Sequence, residues 1–365
     1  MPRPSTIVAN TRAYDTWLTQ FVSVREADLR TKHARMTESP FALLRATYYH
    51  WLTLWQAHSG TLADATVVRS IGDVHIENFG TWRDGEGRLI WGVNDFDESS
   101  PLPWTHDLVR LATSAMLATE HGDVAIAPKD ACAALWEGYR ESLAASGRPF
   151  VLAEINKRLR AMATERLKDP LRFWSALGEA PVPDEPVPRS ARRMLERALP
   201  PDATNHSMRT RVSGLGSLGR PRYLLLATWG GASVAREVKA LAPPAACFAL
   251  GAPLRTWVRG TVRRAIRVAD PSFGVDDRWI VRRLAPDCSR IELASLPHER
   301  DETKLLYAMG WETANVHLGS ASRRSLRREA AAHTDRWLAR TARVLHDEIE
   351  RDYEAWCAAH ARDAT

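Results

Sequence analysis

The chain is poor in the features that would take it out of ordinary globular chemistry. It has four cysteines in 365 residues, Cys132, Cys247, Cys288 and Cys357, too far apart for any paired-ligand spacing. That excludes a disulfide framework and a Cys-based structural zinc site, and leaves four expected free thiols. No apolar run approaches the ~20 residues that a membrane span needs, and Met1-Pro2-Arg3-Pro4-Ser5 lacks the apolar core of a signal peptide. A cytoplasmic protein with no membrane partner is expected. Internal repeats and low-complexity segments are absent. From Ala240 to Ile291 there is no glutamate. The net charge is +6 and the pI about 9.3, but arginine is interspersed with acids and no basic–aromatic ladder occurs. Nucleic acid is therefore not the expected partner, whereas an anionic small substrate such as a nucleoside triphosphate suits the charge.

What the chain does have is a concentration of polar residues. Ser70-Ile-Gly-Asp73-Val-His75-Ile-Glu77-Asn78-Phe-Gly80 and Val93-Asn94-Asp95-Phe-Asp97-Glu98 hold five acids, one histidine and two asparagines within 26 residues. The apolar runs Thr66–Ile71 and Leu89–Val93 predict short buried strands, and Asp84-Gly85-Glu86-Gly87 a hairpin turn between them. The polar residues then sit at strand ends and in a loop, where a scaffold can fix a site open to solvent. Phosphoryl transfer needs a carboxylate near the acceptor hydroxyl and oxygen ligands for Mg²⁺. Asp73 supplies the first, with His75 beside it as hydrogen-bonding support, and Asn78, Asp95 and Asp97 are candidates for the second. A metallohydrolase on Asp73, His75, Asp95 and Asp97 is the rival reading; its only further histidine nearby is His106.

Most of the rest reads as helix. Residues 1–37 are polar and helical, with Trp17, Leu18, Phe21 and Val22 on one face. Ser39-Pro40 caps a helix over Phe41–His58. Pro101-Leu-Pro-Trp104 reads as a rigid connection, followed by helices from Asp107 and over Lys129–Leu143. Residues 150–200 are helical, interrupted at Pro170 and by the proline-rich stretch 181–188, a candidate linker. Strands follow at Met208–Val212, Tyr223–Trp229, Ser233–Lys239, Trp279–Leu284 and Arg290–Leu293. An arginine-rich amphipathic helix is predicted over Leu254–Ala269, and helices over Asp301–Leu318 and Arg324–Ala359.

A second constellation lies among the strands. Gly214-Leu215-Gly216-Ser217-Leu218-Gly219 spells G-x-G-x-x-G, weak on its own. A dinucleotide-binding turn needs a helix after it; here an apolar strand follows, then Gly230-Gly231 and a strand ending in Lys239. Strand, glycine loop, strand, turn and strand-borne lysine is the layout of the flap that covers ATP phosphates in protein kinases. Gly214, Gly216, Ser217, Gly219 and Lys239 are thus the candidate nucleotide-binding residues.

Together these motifs resemble a bacterial family known as domain of unknown function 2252. The resemblance is carried by Arg35-Met-Thr-Glu-Ser-Pro-Phe41, Gly72-Asp73-Val-His75-Ile-Glu-Asn78-Phe-Gly80, Asn94-Asp-Phe-Asp-Glu98, Pro103-Trp-Thr-His-Asp107-Leu-Val-Arg110, the 214–219 loop, Val238-Lys239-Ala240, Gly310–His317 and Asp352-Tyr353. It implies an α+β, two-lobed, protein-kinase-like fold related to aminoglycoside phosphotransferases, with Asp107 bracing the catalytic loop. The glycine loop and lysine follow the catalytic segment instead of preceding it, so the implied fold is circularly permuted: a mostly helical catalytic region over 1–200, a β-rich nucleotide region over 201–298, and helices 299–365 returning to the first. The implied activity is an ATP- and Mg²⁺-dependent phosphotransferase acting on a small-molecule or protein acceptor. A nucleotide-binding pseudokinase is one alternative, because the glutamate-free segment offers no acidic helix partner for Lys239 and leaves Asp270 or Glu237 to serve; a nucleotidyl transferase on the same fold is another. Trp104, Trp136, Trp174 and Trp311 are candidates for the acceptor pocket, with core packing as their other reading.

Overall fold

The structure, a computed structural model, describes residues 6–121, 125–152, 156–165, 167–288 and 299–363. The chain is α+β. Its strands are β1 (Val67–Arg69), β2 (Phe79–Arg83), β3 (Leu89–Val93), β4 (Pro101–Pro103), β5 (Phe150–Val151), β6 (Thr204–Thr210), β7 (Arg222–Trp229), β8 (Ala232–Ala240), β9 (Gly274–Val275) and β10 (Trp279–Leu284). They form a two-stranded β1–β4 ribbon, a three-stranded sheet in the order β2-β3-β5, and a five-stranded antiparallel sheet in the order β6-β7-β8-β10-β9.

The hairpin at Asp84–Gly87 is present, but it joins β3 to β2. The strand predicted over Thr66–Ile71 pairs instead with Pro101–Pro103, the stretch read as a rigid connection. The Phe79–Arg83 strand hid in the polar segment, because its first two residues also end that segment. The predicted strand at Arg290–Leu293 lies outside the described residues.

Helices surround the polar loop. Ser39 Oγ accepts the Ala42 N–H at 3.1 Å, with Pro40 at the first helical position, as the cap signal predicts. The single helix expected over Phe41–His58 is two, Pro40–Ala46 and Tyr48–His58. Thr47 leaves helical geometry (φ −126°, ψ 44°), and its hydroxyl donates to the Leu43 carbonyl at 2.7 Å, the competition that disfavours threonine inside helices. Helix Trp104–Glu120 is buried from Trp104 to Ala118 on all sides, as suits an element at the centre of a core rather than on its edge.

Two other predicted helices are also corrected. The arginine-rich helix expected over Leu254–Ala269 is reduced to Val258–Arg264. Beyond it Ile266 N–H is drawn to the Asn315 carbonyl at 3.0 Å, and Arg267 is laid over the Trp82 and Phe96 rings at 4.4 and 5.1 Å. Tertiary contacts there outweigh a pattern of weak helical preference. The C-terminal run divides into Arg323–Ala331 and Trp337–Asp363. The break stacks His333 on Trp337 at 4.4 Å and brings both against Trp104, beside Trp136 and Tyr139. Trp104 and Trp136 are thus core residues of an aromatic nest.

The helices Pro170–Gly178 and Arg189–Ala198 pack on the five-stranded sheet. Leu177 meets Leu224 and Ala235 on one face, and Ala191 and Leu195 meet Tyr223, Leu225, Val238 and Val281 on the other. The first face also carries Arg222, Glu237, Lys239 and Arg282, because side chains alternate along a strand and the register sets Lys239 opposite Arg222 and Arg282 opposite Glu237. That charged half of the face looks towards the polar loop.

The helices Pro128–Ala145 and Glu299–Leu318 approach so closely that a Cβ on Gly138 would overlap the Tyr307 carbonyl, and one on Gly310 the Leu135 carbonyl. Overpacking of this kind costs about 1–3 kcal/mol. Gly138→Ala is expected to lower the unfolding free energy by that amount, read in equilibrium unfolding as a lower denaturant midpoint at unchanged m-value; an unaltered midpoint would mean that the two helices separate freely.

Candidate functional site

The loop between β1 and β2 is held from beneath by one carboxylate. Asp107, wholly buried near the start of helix Trp104–Glu120, accepts the Ile71 N–H at 2.6 Å and the Gly72 N–H at 3.3 Å. It also meets His106 Nδ1 at 3.1 Å and His317 Nε2 at 3.0 Å. The tautomers follow from the outer partners. His106 Nε2 accepts from the Trp51 indole N–H at 3.0 Å, so its proton is on Nδ1; His317 donates from Nε2 and accepts the Tyr139 hydroxyl at Nδ1, 3.0 Å away. Four donors saturate the carboxylate. Burial pushes the Asp107 pKa up, but the two histidine hydrogen bonds outweigh it and hold the group far below the usual carboxylate range. The brace implied by the family resemblance is therefore present, with His317 as a member that sequence reading placed only among later family marks.

Gly72 turns the chain towards the site. Its φ is +90°, and a Cβ would run into the Glu98 carbonyl, so both the conformation and the space call for glycine. Asp73 follows and is bonded to Arg110 through Oδ1. Arg110 is fully buried, lies 4.9 Å from the Tyr48 ring centre and 5.0 Å from that of Trp51, and also donates to the Leu44 carbonyl at 3.0 Å. Burial raises the Asp73 pKa against the lowering effect of Arg110. The arginine went unassigned in the sequence, although a charged residue between Val109 and Leu111 in an apolar helix was its signal.

Asn78 ties the two polar segments together. Its Nδ2 donates to the carbonyls of Asp73 and Asp95 at 3.0 and 3.3 Å, and its Oδ1 accepts the Asp95 N–H at 3.0 Å. His75 is buried, accepts the Glu77 N–H at Nδ1, 3.2 Å away, and meets Phe41 edge-on. Glu77 is paired with Arg45 at 2.7 Å.

Lys239 reaches the loop from the sheet. Its Nζ lies 2.9 and 3.1 Å from the two oxygens of Asp95 and is also paired with Asp97. Burial works against ionisation of both acids. Lys239, with Arg282 behind it, outweighs burial at Asp95 and holds that pKa well below the ordinary range; at Asp97, burial and the charge of Asp95 win, and its pKa is raised. Asp95 is 40% exposed whereas Asp97 is 7% exposed, so Asp95 is the acid that faces solvent. Arg220, bonded to Glu98 at 2.8 Å and Tyr14 at 3.1 Å and 3.8 Å from Asp97, closes the far side.

The glycine loop meets the same place. Gly214, Leu215, Gly216 and Ser217 share the wall of a cavity of about 60 Å³ with Asp73, His75, Asn78, Asp95 and Asp97. A Cβ on Gly216 would come within 3.1 Å of Asp73 Oδ2. Gly219 lies aside from this wall, packed on Leu29, with its carbonyl accepting the Arg25 N–H at 3.0 Å. A larger cleft of about 490 Å³ has Asn94 and Phe96, the neighbours of Asp95, in its wall. It is lined by Thr81, Trp82, Asn94 and Phe96 from below and by Arg211, Arg282 and Leu284 from the sheet.

Among the described residues, no three His, Cys, Asp or Glu side chains converge as a metal cage. The loops offer two carboxylates and one amide oxygen. Magnesium suits such a partial set, since it keeps several waters and takes one or two carboxylates together with substrate phosphates. Asp97 Oδ1, buried without a hydrogen-bond partner, fits that use. The rival metallohydrolase fares worse, because His106 and His317 are spent on Asp107.

A family described as an uncharacterized protein conserved in bacteria, DUF2252, matches residues 25–172. The match covers less than half of the chain. No curated protein and no solved structure matches the chain. The matched segment contains Asp73, His75, Asn78, Asp95, Asp97 and Asp107 and stops short of the glycine loop, Lys239 and His317. Lys239 and Gly216 complete the cluster from outside it. No described helix is long and apolar enough to cross a membrane.

Two changes test the support of this cluster. Asp107→Ala strands two backbone N–H groups and two histidines, and removal of one partner from a buried charged network typically costs about 3–5 kcal/mol; denaturant unfolding measures it, and a loss below about 1 kcal/mol would show the brace to be dispensable. Glu312, from helix Glu299–Leu318, accepts the Val93 N–H at 3.3 Å and the Asn315 amide at 2.8 Å behind β3. Burial pushes its pKa up to about 7, against the opposing charge of Arg267. The folded state thus binds the extra proton between pH 4.5 and 7, and stability falls as pH rises through that window, by at most about 3 kcal/mol. Glu312→Gln should remove that decline, read as the difference between wild-type and variant stability at pH 5 and pH 8.

Proposed function

We propose that the protein is an ATP- and Mg²⁺-dependent phosphotransferase with a permuted kinase-like arrangement, acting on a small-molecule or protein acceptor. The observation that carries this reading is the meeting of Gly214–Ser217 and Lys239 with Asp73, Asn78, Asp95 and Asp97, brought from segments more than 100 residues apart. A strand, a glycine-containing turn, a second strand and a lysine on the third, set against a carboxylate-rich loop, are the parts that phosphoryl transfer uses. The basic wall of the large cleft favours a polyanionic nucleotide.

In this reading the nucleotide base enters the cleft between Phe96 and Leu284, and its phosphates point towards Lys239. Asp73 accepts the proton of the acceptor hydroxyl; its raised pKa makes it a better base than an exposed aspartate. Arg110 holds that carboxylate in one orientation. Asp95, Asp97 and the Asn78 oxygen would hold Mg²⁺, which neutralises charge on the phosphates. Positioning and charge neutralisation then account for most of the catalysis.

A second reading, nucleotide binding without transfer, is favoured by one feature. Lys239 is spent on Asp95 and Asp97, while Glu237, two residues earlier on the same face, is bonded to arginines. The two readings separate in one experiment. The protein is incubated with ATP carrying heavy oxygen on its γ-phosphoryl group, Mg²⁺ and a bacterial metabolite extract, and products are followed by mass spectrometry. Labelled phosphoryl adducts are expected, lowered about 100-fold or more in Asp73→Asn with ATP binding retained, and abolished in Asp95→Ala. Binding without adducts would favour the second reading, AMP adducts would mean nucleotidyl transfer, and no ATP binding at millimolar concentration would end all three.

A further inference from the structure

The sheet face that looks onto the large cleft carries a charge cluster that the proposed transfer invokes only as a basic wall, with no role given to its members. Glu237 is 1% exposed and takes three guanidinium groups: Arg211 Nη1 at 2.7 Å, Arg222 Nη1 at 2.9 Å, and Arg282 through Nε and Nη2 at 2.9 and 2.8 Å. One negative charge thus faces three positive ones. The surplus is not distributed evenly. Arg222 is sealed at 2% exposure, and its other nitrogen donates to Ser217 Oγ at 2.6 Å. Arg211 and Arg282 are 29% and 24% exposed, and both line the 490 Å³ cleft.

Geometry makes this more than a structural salt bridge. A guanidinium has five N–H donors in a planar fork; Glu237 takes one nitrogen of Arg211 and two of Arg282, leaving donors directed at the cleft. Arg267 and Arg283 also line this space, against the single carboxylate of Asp270. Lys239 is held by Asp95 and Asp97, so an anion in the cleft meets the arginines first. The sheet register fixes their place: Arg282 lies directly across from Glu237, and Lys239 follows two residues on, on the same face.

We propose that Arg211 and Arg282 form a clamp for a polyphosphate chain, with Glu237 as the positioning residue that orients both forks. The clamp rests on the phosphotransferase reading only for the identity of its natural ligand, a nucleoside triphosphate; the shared chemistry is a chain of two or three linked phosphates. Paired forks suit adjacent phosphate groups better than a point charge does. Glu237 offsets the mutual repulsion of three arginines on one sheet face, which would otherwise swing the exposed two away. In this arrangement the acid that a strand lysine lacks is supplied on the strand itself, acting on arginines.

Isothermal titration with inorganic tripolyphosphate and, separately, with ATP tests the clamp. Wild-type protein is expected to bind both. Arg211→Gln and Arg282→Gln should each weaken both ligands about tenfold or more, the scale of one charge-assisted hydrogen bond lost, with circular dichroism unchanged. Glu237→Gln should weaken both ligands although it removes no cation, and Glu237→Asp should recover part of the loss, which a purely structural role would not produce. Tripolyphosphate binding without ATP binding would support the clamp and end the phosphotransferase reading. Wild-type ATP affinity in folded Arg211→Gln and Arg282→Gln would overturn the clamp and leave that reading standing. Binding of neither ligand by wild-type protein would overturn both.

Discussion

Lys239 stands between Asp95 and Asp97, and much of the structure exists to make that contact possible. The lysine comes from a five-stranded sheet and the two acids from a loop more than 140 residues earlier in the chain. Their attraction is set against several kcal/mol of desolvation for an ion removed from water, and at Asp95, 40% exposed, solvent screens part of the gain. The net gain is small unless every remaining lone pair and proton is partnered. The surroundings supply the partners: Asn78 holds the Asp95 backbone from both sides, and Arg220 sits behind Asp97 and Glu98. One oxygen of Asp97 stays unpartnered, where the cluster has capacity left for a ligand.

The same logic runs through the layers below. Asp107 is saturated by two backbone N–H groups and two histidines whose tautomers are set by Trp51 and Tyr139. Glu237 is saturated by three arginines. Both acids are driven well below their ordinary pKa, since hydrogen bonds and neighbouring cations outweigh burial. Asp73 and Asp97 go the other way, because burial outweighs their single strong partners. Acids with lowered and with raised pKa thus meet in one cluster, since Asp73, Asp95 and Asp97 share the wall of the small cavity.

Much of the candidate site was legible in the chain. The Gly-Asp-x-His-x-x-Asn and Asn-Asp-Phe-Asp segments announced themselves by polar density beside apolar runs, and the glycine loop and Lys239 by their order along strands. Less visible were the residues that act through others. Arg110 was read as part of a helix, His317 as a family mark, and Glu237 as a stand-in partner for Lys239. Their roles depend on which side chains arrive opposite them from 15 to 210 residues away, and no local pattern encodes that. The helix predicted over Leu254–Ala269 failed for the same reason, since Arg267 is drawn onto Trp82 and Phe96.

The sequence by itself determined most of the element types and singled out the polar and glycine-rich segments that meet in the fold, because local propensity, turn chemistry and the alternation of strands are written residue by residue. Only the tertiary structure decided who pairs with whom. It joined Thr66–Ile71 to Pro101–Pro103, split two long helices, gave Lys239 to two aspartates and Glu237 to three arginines, and laid Gly216 over Asp73. Those choices come from burial: a charged group removed from water must find a partner wherever the packed chain supplies one, and the nearest partner in space is seldom the nearest in sequence.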